Sequence, residues 1–182
     1  MGADPEVDAH YHRRCRPLAV ALADAGARLE DVRLVVNCHL HLDHCGGNPD
    51  LSGRGIVVQR VELEAARTTA DYTLPKLIDA PGLRYEVVNG EAEVLPGVLV
   101  VPTPGHTAGH QSLIVRGDHG TVVVAGQSHD TATDYAADAL AWRARTDGHD
   151  GSLPAPPEWI DRLQGLDPRR VVFAHDHSVW EP

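Results

Sequence analysis

Short apolar runs separated by polar, glycine-rich segments dominate the pattern along this chain. Runs of about four to six residues that are rich in Val and Ile and bounded by turn residues are typical of buried β-strands. They predict strands at residues 32–37, 55–59, 84–88, 98–101, 111–115, 121–125 and 170–174. Apolar positions at helical spacing predict helices at residues 8–25, from residue 60, at 135–145 and at 157–166. Because strands and helices alternate, we expect an α/β (α+β) fold built in layers.

The length of the chain fits one domain. Its 182 residues lie within the usual range for one domain, so we expect a single domain over residues 1–182. The formal net charge of -10 repels polyanions, so we expect no nucleic-acid partner. No apolar run approaches the roughly 18 to 20 residues that cross a bilayer, so we expect no membrane partner.

The cysteine content and the first residues favour a cytoplasmic protein. Cys15, Cys38 and Cys45 are odd in number and too few for a disulfide framework. Residues 1–10 are acidic and lack the basic start and apolar core of a signal peptide. A reducing cytoplasm is the expected location.

Histidine is the unusual feature of the composition, with twelve residues. A bias of this kind favours metal binding. The strongest signal is the segment 38–49, predicted as a loop, where His39, His41, Asp43 and His44 directly follow a predicted buried strand. Imidazole and carboxylate ligands suit Zn²⁺ or another divalent transition metal better than Ca²⁺ or Mg²⁺. A solvated loop that happens to be rich in histidine is the alternative.

Two further histidine clusters also follow predicted strands. The sequence TPGHTAGH at residues 103–110 contains His106 and His110, and its two glycines allow a tight turn. The sequence HDH at residues 175–177 follows the last strand, and the strand-end position favours His175 over His177. Three clusters at strand ends predict one convergent metal site. Apart from His129, the remaining histidines have no such partners and are expected at the surface: His10, His12, His119 and His149.

The spacing His39-x-His41-x-Asp43-His44, the TPGHTAGH segment and the late histidine together resemble the metallo-β-lactamase superfamily. The segments NCHLHLDHCGGN, IVVQRVELEAA and PGVLVVPTPGHTAGHQSLIV are similar to the N-acyl homoserine lactonase branch of that family. The similarity extends from about residue 32 to residue 175. It implies a metallo-β-lactamase-like αββα sandwich with the metals at one edge between two sheets.

The resemblance also implies a role for each residue of the motif. It assigns the first metal to His39, His41 and His106 and the second to Asp43, His44 and His175, with one or two Zn²⁺ ions as cofactor. In that family a hydroxide held between two metals attacks the substrate carbonyl. Asp43 would then act as a catalytic residue that carries a proton to the leaving alkoxide. His110 is expected to form a supporting hydrogen bond rather than to bind metal.

One position departs from the family pattern. The family's bridging Asp falls on Gln127, whose neutral amide oxygen is a poorer ligand than a carboxylate. We therefore expect a weakened second metal site or a rearranged centre. His129 or Asp130 could replace the lost ligand, or both could be exposed loop residues. The Tyr that assists the substrate carbonyl in the lactonase branch falls on Asp130, while Tyr135 is nearby but out of register.

The region before the first motif is also short. The family normally places several strands there, whereas here the motif begins at residue 39 after one predicted helix. We therefore expect a fold shortened at the N-terminus. Either the start codon has been assigned too late, or a homo-oligomer covers the sheet edge that would otherwise be exposed.

Three functions remain open from the sequence. The first is a metal-dependent hydrolase that acts on a small-molecule ester or lactone. Its favoured substrate is an N-acyl homoserine lactone, and opening the lactone ring would serve in quorum quenching. The second is a thioesterase or glyoxalase II-like hydrolase with the same metal centre. The third is a degenerate, non-catalytic metal-binding module, for which Gln127 and the short N-terminal region are the evidence. Neither a G-x-S-x-G elbow nor a P-loop motif occurs.

Overall fold

A computed structural model of the protein describes residues 16–149 and 153–182. In these residues nine strands form a three-stranded sheet and a six-stranded sheet. The strands are β1 (Leu34–Val36), β2 (Gly55–Gln59), β3 (Arg84–Val88), β4 (Ala92–Leu95), β5 (Val98–Pro102), β6 (Gln111–Gly117), β7 (Gly120–Val124), β8 (Pro168–Val172) and β9 (Val179–Trp180). The helices are α1 (Leu18–Asp24), α2 (Leu42–Cys45), α3 (Arg60–Thr68), α4 (Pro75–Ile78), α5 (Ala132–Thr146) and α6 (Ile160–Gln164).

The smaller sheet is parallel, in the order β1-β2-β3. All residues of its middle strand are buried, as expected for the continuous apolar run that forms it. Helices α2, α3 and α4 pack apolar side chains against this sheet. Their common core contains Leu40, Cys45, Val58, Leu63, Ala66, Leu77 and Ile78.

The larger sheet follows chain order from β4 to β9 and is antiparallel except for the parallel pair β7 and β8. Helices α5 and α6 cover it and share its core. Helix α5 begins at a capping box in which Thr131 Oγ1 accepts from the Asp134 N–H and Asp134 Oδ2 accepts from the Thr131 N–H. The order helix, sheet, sheet, helix confirms the predicted αββα class.

The two sheets are joined by hydrogen bonds at the first residue of β6. Gln111 Nε2 donates to the backbone oxygen of Asn37 over 2.9 Å, and Gln59 Nε2 donates to Gln111 Oε1 over 2.9 Å. The Gln111 backbone N–H also donates to the Cys38 oxygen over 2.9 Å. The end of β1 and the start of β6 are therefore fixed relative to each other.

Several predicted boundaries are corrected by the structure. Strands β4 and β9 were not predicted, because β4 alternates half-buried and exposed residues and β9 has only two residues. The segment 38–49, predicted as a loop, contains the single turn α2, which is too short to show a helical period. The predicted helix 8–25 corresponds to α1, and its first part lies outside the described residues.

Two other expectations concern the environment of the protein. No helix in the described ranges is long and apolar enough to cross a bilayer. Cys38 and Cys45 are free thiols, and burial raises the pKa of each to about 11. Cys15 lies outside the described residues.

Candidate metal centre

Three loops that leave the ends of β1, β5 and β8 bring the predicted ligands together. Their potential ligand atoms form two groups, within each of which all atoms lie within 4.8 Å of one another. One group contains His39, His41 and His106, and the other contains Asp43, His44 and His175. These are the two sets that the resemblance implied, in the same division.

The residue at the centre of the cluster is His39. Its side chain is fully buried, and neither Nδ1 nor Nε2 has a hydrogen-bond partner. Its ring centroid lies 4.0 Å from that of His44 and 4.7 Å from those of His41 and His106. Burial, reinforced by the neighbouring histidines, holds the pKa of His39 far below its usual value, so the ring is neutral. A neutral buried imidazole without partners is costly unless a ligand such as a metal ion completes it.

The other predicted ligands point their polar atoms at one another. His41 Nδ1 lies 3.0 Å from His106 Nε2, and His44 Nε2 lies 3.1 Å from His175 Nε2. Asp43 Oδ2 lies 3.4 Å from the Nε2 atoms of both His44 and His175. The hydrogen bond to His44 holds the pKa of the Asp43 carboxyl well below its usual range. Three imidazoles in one group, and two with a carboxylate in the other, fit the ligand chemistry of Zn²⁺ and similar cations.

The local structure explains how one short segment supplies four of these side chains. Leu40 is fully buried in the smaller core, which directs its two neighbours toward the cluster. His41 is the residue directly before α2, and Asp43 and His44 lie in the single turn of that helix. Asn37 fixes this turn by donating from Nδ2 to the His44 backbone oxygen over 3.2 Å.

His110 lies beside the cluster but has its own partners. Its Nδ1 lies 2.8 Å from Thr103 Oγ1, and its Nε2 accepts the Gln127 backbone N–H over 3.0 Å. Burial lowers the pKa of His110 to about 4, so the ring is neutral and can accept at Nε2. Both ring nitrogens are thus engaged by the protein. The supporting contact of His110 is to the loop after β7, and its ring centroid is 5.5 Å from that of His39.

The loop after β7 contains the three residues considered as replacements for the bridging carboxylate. In the described residues His129 and Asp130 belong to neither group of converging ligand atoms. Gln127 Nε2 donates to Asp130 Oδ1 over 3.3 Å. His129 Nε2 lies 3.0 Å from Asp138 Oδ2, so its side chain is engaged by α5. Burial, followed by the charges of His41 and His44, lowers the pKa of His106, and the negative charge of Asp130 opposes that change.

The remaining candidates lie away from the cluster. Tyr135 is fully buried in the larger core, where its hydroxyl accepts from Gln164 Nε2 over 3.0 Å. His177 is exposed and belongs to neither group, whereas His175 belongs to the second. Of the four histidines expected at the surface, His119 and His149 are exposed, and His10 and His12 lie outside the described residues.

Sequence reasoning missed Glu62, a fully buried residue of α3. Its Oε1 accepts from the Leu40 backbone N–H over 2.7 Å and from the Tyr72 hydroxyl over 2.5 Å. Its Oε2 accepts from Thr107 Oγ1 over 2.7 Å. The available signal was its position four residues before Ala66, on the face of α3 that packs into the core.

Comparison with known proteins shows which family the chain belongs to. The profile of the metallo-beta-lactamase superfamily matches residues 2–175. This chain belongs to the metallo-β-lactamase superfamily. Within the superfamily it is 38% identical over 164 residues to the N-acyl homoserine lactonase AttM of Azorhizobium caulinodans, which covers 82% of this chain and 60% of that protein. It is 37% identical over 107 residues to an N-acyl homoserine lactonase of Bacillus cereus, covering 59% of this chain and 42% of that protein.

The fold of the chain is also similar to that of a solved structure. The chain superimposes with a TM-score of 0.66 and 28% identity on an N-acyl homoserine lactone hydrolase with the product N-hexanoyl-L-homoserine bound at its catalytic metal centre. The match covers 88% of this chain and 62% of that one. The chain thus spans about half the length of the curated relatives, between 42% and 60% for the two above.

Proposed function

We propose that this chain is a metal-dependent hydrolase that opens the lactone ring of an N-acyl homoserine lactone or a closely similar ester. The observation that carries the proposal is the convergence of two groups of ligand atoms around His39, whose buried ring nitrogens have no other partner. Similarity to named lactonases supports the choice of substrate.

The proposed cofactor is one or two Zn²⁺ ions. His39, His41 and His106 would hold the first ion, and Asp43, His44 and His175 would hold the second. A divalent cation supplies Lewis acidity to such a site, polarising a carbonyl oxygen and making water nucleophilic near neutral pH. Both groups contain more nitrogen than oxygen ligands, which supports a borderline transition metal.

Asp43 is the proposed proton carrier of the reaction. Its side chain is 36% exposed, so a substrate could reach it, and its low pKa keeps it ionised at neutral pH. In the reaction water adds its oxygen to the carbonyl carbon and the ring C–O bond breaks. Asp43 takes a proton released by the water and passes it to the alkoxide that leaves.

For the missing bridging ligand we propose Asp130. Its carboxylate accepts a hydrogen bond from Gln127, the residue at the family's bridging position, and its negative charge acts to raise the pKa of His106. His129 is a weaker candidate because Asp138 already engages its side chain. Gln127 itself remains the observation that favours the alternative of a metal-binding module without catalysis.

Three wider expectations remain part of the proposal. A single domain over residues 1–182 and a cytoplasmic location stay predictions, the second supported by the free thiols of Cys38 and Cys45. A homo-oligomer that covers an exposed sheet edge also stays a prediction. Light scattering after size-exclusion chromatography would measure it.

Metal content and ring opening, measured on the same preparation, test the proposed function. We expect one to two metal ions per chain and turnover of N-acyl homoserine lactones, with thioesters cleaved far more slowly. The His106→Ala variant should lose metal and turnover, and His119→Ala, at an exposed position outside the cluster, should lose neither. Metal without any turnover would indicate a binding module, and preferred thioester cleavage would indicate the glyoxalase II-like alternative.

The variant Gln127→Asp tests the reason for the departure from the family. We expect it to raise the affinity for the second ion and to increase turnover, because a carboxylate offsets the charge of the cations better than an amide does. Asp130→Asn should lower both quantities in the parent protein. If Gln127→Asp changes neither, Gln127 does not limit the second site.

A further inference from the structure

The carboxylate of Glu62 connects two of the loops that carry the metal-ligand groups. Through Oε1 it binds the backbone N–H of Leu40, the residue between His39 and His41. Through Oε2 it binds the hydroxyl of Thr107, the residue after His106. Three ligands of the first group therefore come from two chain segments that one buried side chain holds together.

The surroundings of Glu62 are built for this contact. The side chain is fully buried, and a buried carboxylate is tolerated only when its oxygens are hydrogen-bonded, as they are here by three donors. The loop after His106 approaches α3 so closely that a Cβ at Gly109 would collide with the backbone of Glu62. Glycine at this position therefore permits the short distance that the Thr107 contact requires.

Tyr72 completes the arrangement beside His41. Its hydroxyl donates to Glu62 Oε1 over 2.5 Å, and its ring centroid lies 4.8 Å from that of His41. Burial and the hydrogen bond to Glu62 raise the pKa of Tyr72, so the hydroxyl keeps its proton and remains a donor. The Glu62 carboxylate therefore positions two things: the Tyr72 ring that packs against His41, and the backbone next to His41.

We propose that Glu62 is a positioning residue that sets the distance between the His39–His41 segment and His106, and thereby the metal affinity of the first group. The proposal rests on the proposed function, since it requires that these histidines bind metal. Glu62 is fully buried and belongs to neither group of ligand atoms. It acts through the backbone of Leu40 and the hydroxyl of Thr107.

Variants of Glu62 can separate the effect of its length and hydrogen bonds from the effect of its charge. In Glu62→Gln the amide oxygen can accept at the Oε1 position, and the amide NH₂ can donate to the Thr107 hydroxyl at the Oε2 position. All three contacts can survive in this variant. Glu62→Asp is one methylene shorter and cannot span both loops, and Glu62→Ala removes every contact.

The test measures Zn²⁺ affinity by competition with a chelator and the visible absorption spectrum of the Co²⁺-loaded full chain. We expect Glu62→Asp and Glu62→Ala to weaken binding about tenfold or more, as losses in the shell around metal ligands do. Their Co²⁺ spectra should change as the ligand geometry relaxes. Glu62→Gln should stay within about threefold of the parent. Glu64→Ala, at an exposed position of the same helix, is the matched control and should leave both readouts unchanged.

A second variant covers the case in which the Glu62 variants do not fold. Thr107→Val conserves volume and removes one hydrogen bond to Glu62, and we expect it to weaken Zn²⁺ binding several-fold and alter the Co²⁺ spectrum. If the variants lower the unfolding temperature but leave metal affinity and spectrum as in the parent, Glu62 serves only the fold and the proposal is wrong. If the parent itself binds no metal, the proposed function fails, and the proposal fails with it.

Discussion

Replacing His39 with leucine tests whether the histidine cluster is built to bind metal. The stability of the metal-free protein should rise, and the stabilisation that metal binding provides should fall. The ring is fully buried and both nitrogens lack partners. An unpartnered buried polar group costs about 1 to 3 kcal/mol, and leucine has a similar volume without such groups. We therefore expect the metal-free His39→Leu protein to be more stable than the metal-free parent by about 1 to 3 kcal/mol.

Metal should narrow this difference, because binding stabilises the parent more than the variant. At a free metal concentration about 100 times Kd, binding stabilises a folded protein by about 2.7 kcal/mol. For a chain of this size that corresponds to a rise in Tm of about 5 to 11 °C. The variant retains two of the three nitrogen ligands of its group, and a tenfold weaker affinity leaves it only about 1.4 kcal/mol.

Thermal unfolding with and without Zn²⁺, after treatment with a chelator, measures both effects. The exposed histidine variant His119→Leu is the control and should behave like the parent in both conditions. The reasoning is refuted if metal-free His39→Leu is at least 2 kcal/mol less stable than the parent while Zn²⁺ stabilises both proteins equally. His39 would then be an ordinary packed residue of the interior.

Three further predictions concern Gly109, His110 and Tyr135. Gly109→Ala should destabilise the fold by about 1 to 3 kcal/mol because its Cβ would collide with α3, whereas Gly105→Ala, with open space around it, should cost little, as urea unfolding can measure. The folded-state pKa of His110 is about 4, below the unfolded value of about 6.5, so its contribution of about 3 kcal/mol is complete above pH 6.5 and is lost as pH falls toward 4. Urea unfolding across that range should show a flatter dependence for His110→Gln, and an unchanged slope would contradict the assignment. Tyr135→Phe should lower stability by about 1 kcal/mol through loss of the Gln164 contact and leave metal content unchanged, and reduced metal content would show that Tyr135 contributes to the site.

The parts of the fold that the sequence predicts well have strong local signals. Strand β2 is a continuous apolar run between polar ends, and its predicted limits agree with the structure. Strand β4 alternates half-buried and exposed residues over only four positions, a pattern too short to distinguish from a turn. Its pairing with β5 is a long-range property that no local window contains.

The site shows the same division between local and distant information. The resemblance to the metallo-β-lactamase superfamily implied that His39, His41 and His106 form one set, and the converging ligand atoms fall into the same two groups. The partners of His129 and Glu62 could not be read in this way. Asp138 and Thr107 reach them only through the packing of α5 and α3, and a glutamate in a helix is ordinary until its surroundings are known.

The hydrogen bonds of Gln111 have a consequence for how the two sheets can move. Apolar faces tolerate sliding by small rotamer changes, whereas hydrogen bonds are directional and favour one orientation. Gln111 forms such bonds with Asn37 and Gln59, beside the ends of β1 and β2. Shear between the sheets is therefore restrained at the end where the histidine loops begin. We therefore expect the histidine loops to keep their spacing when the two sheets move relative to each other.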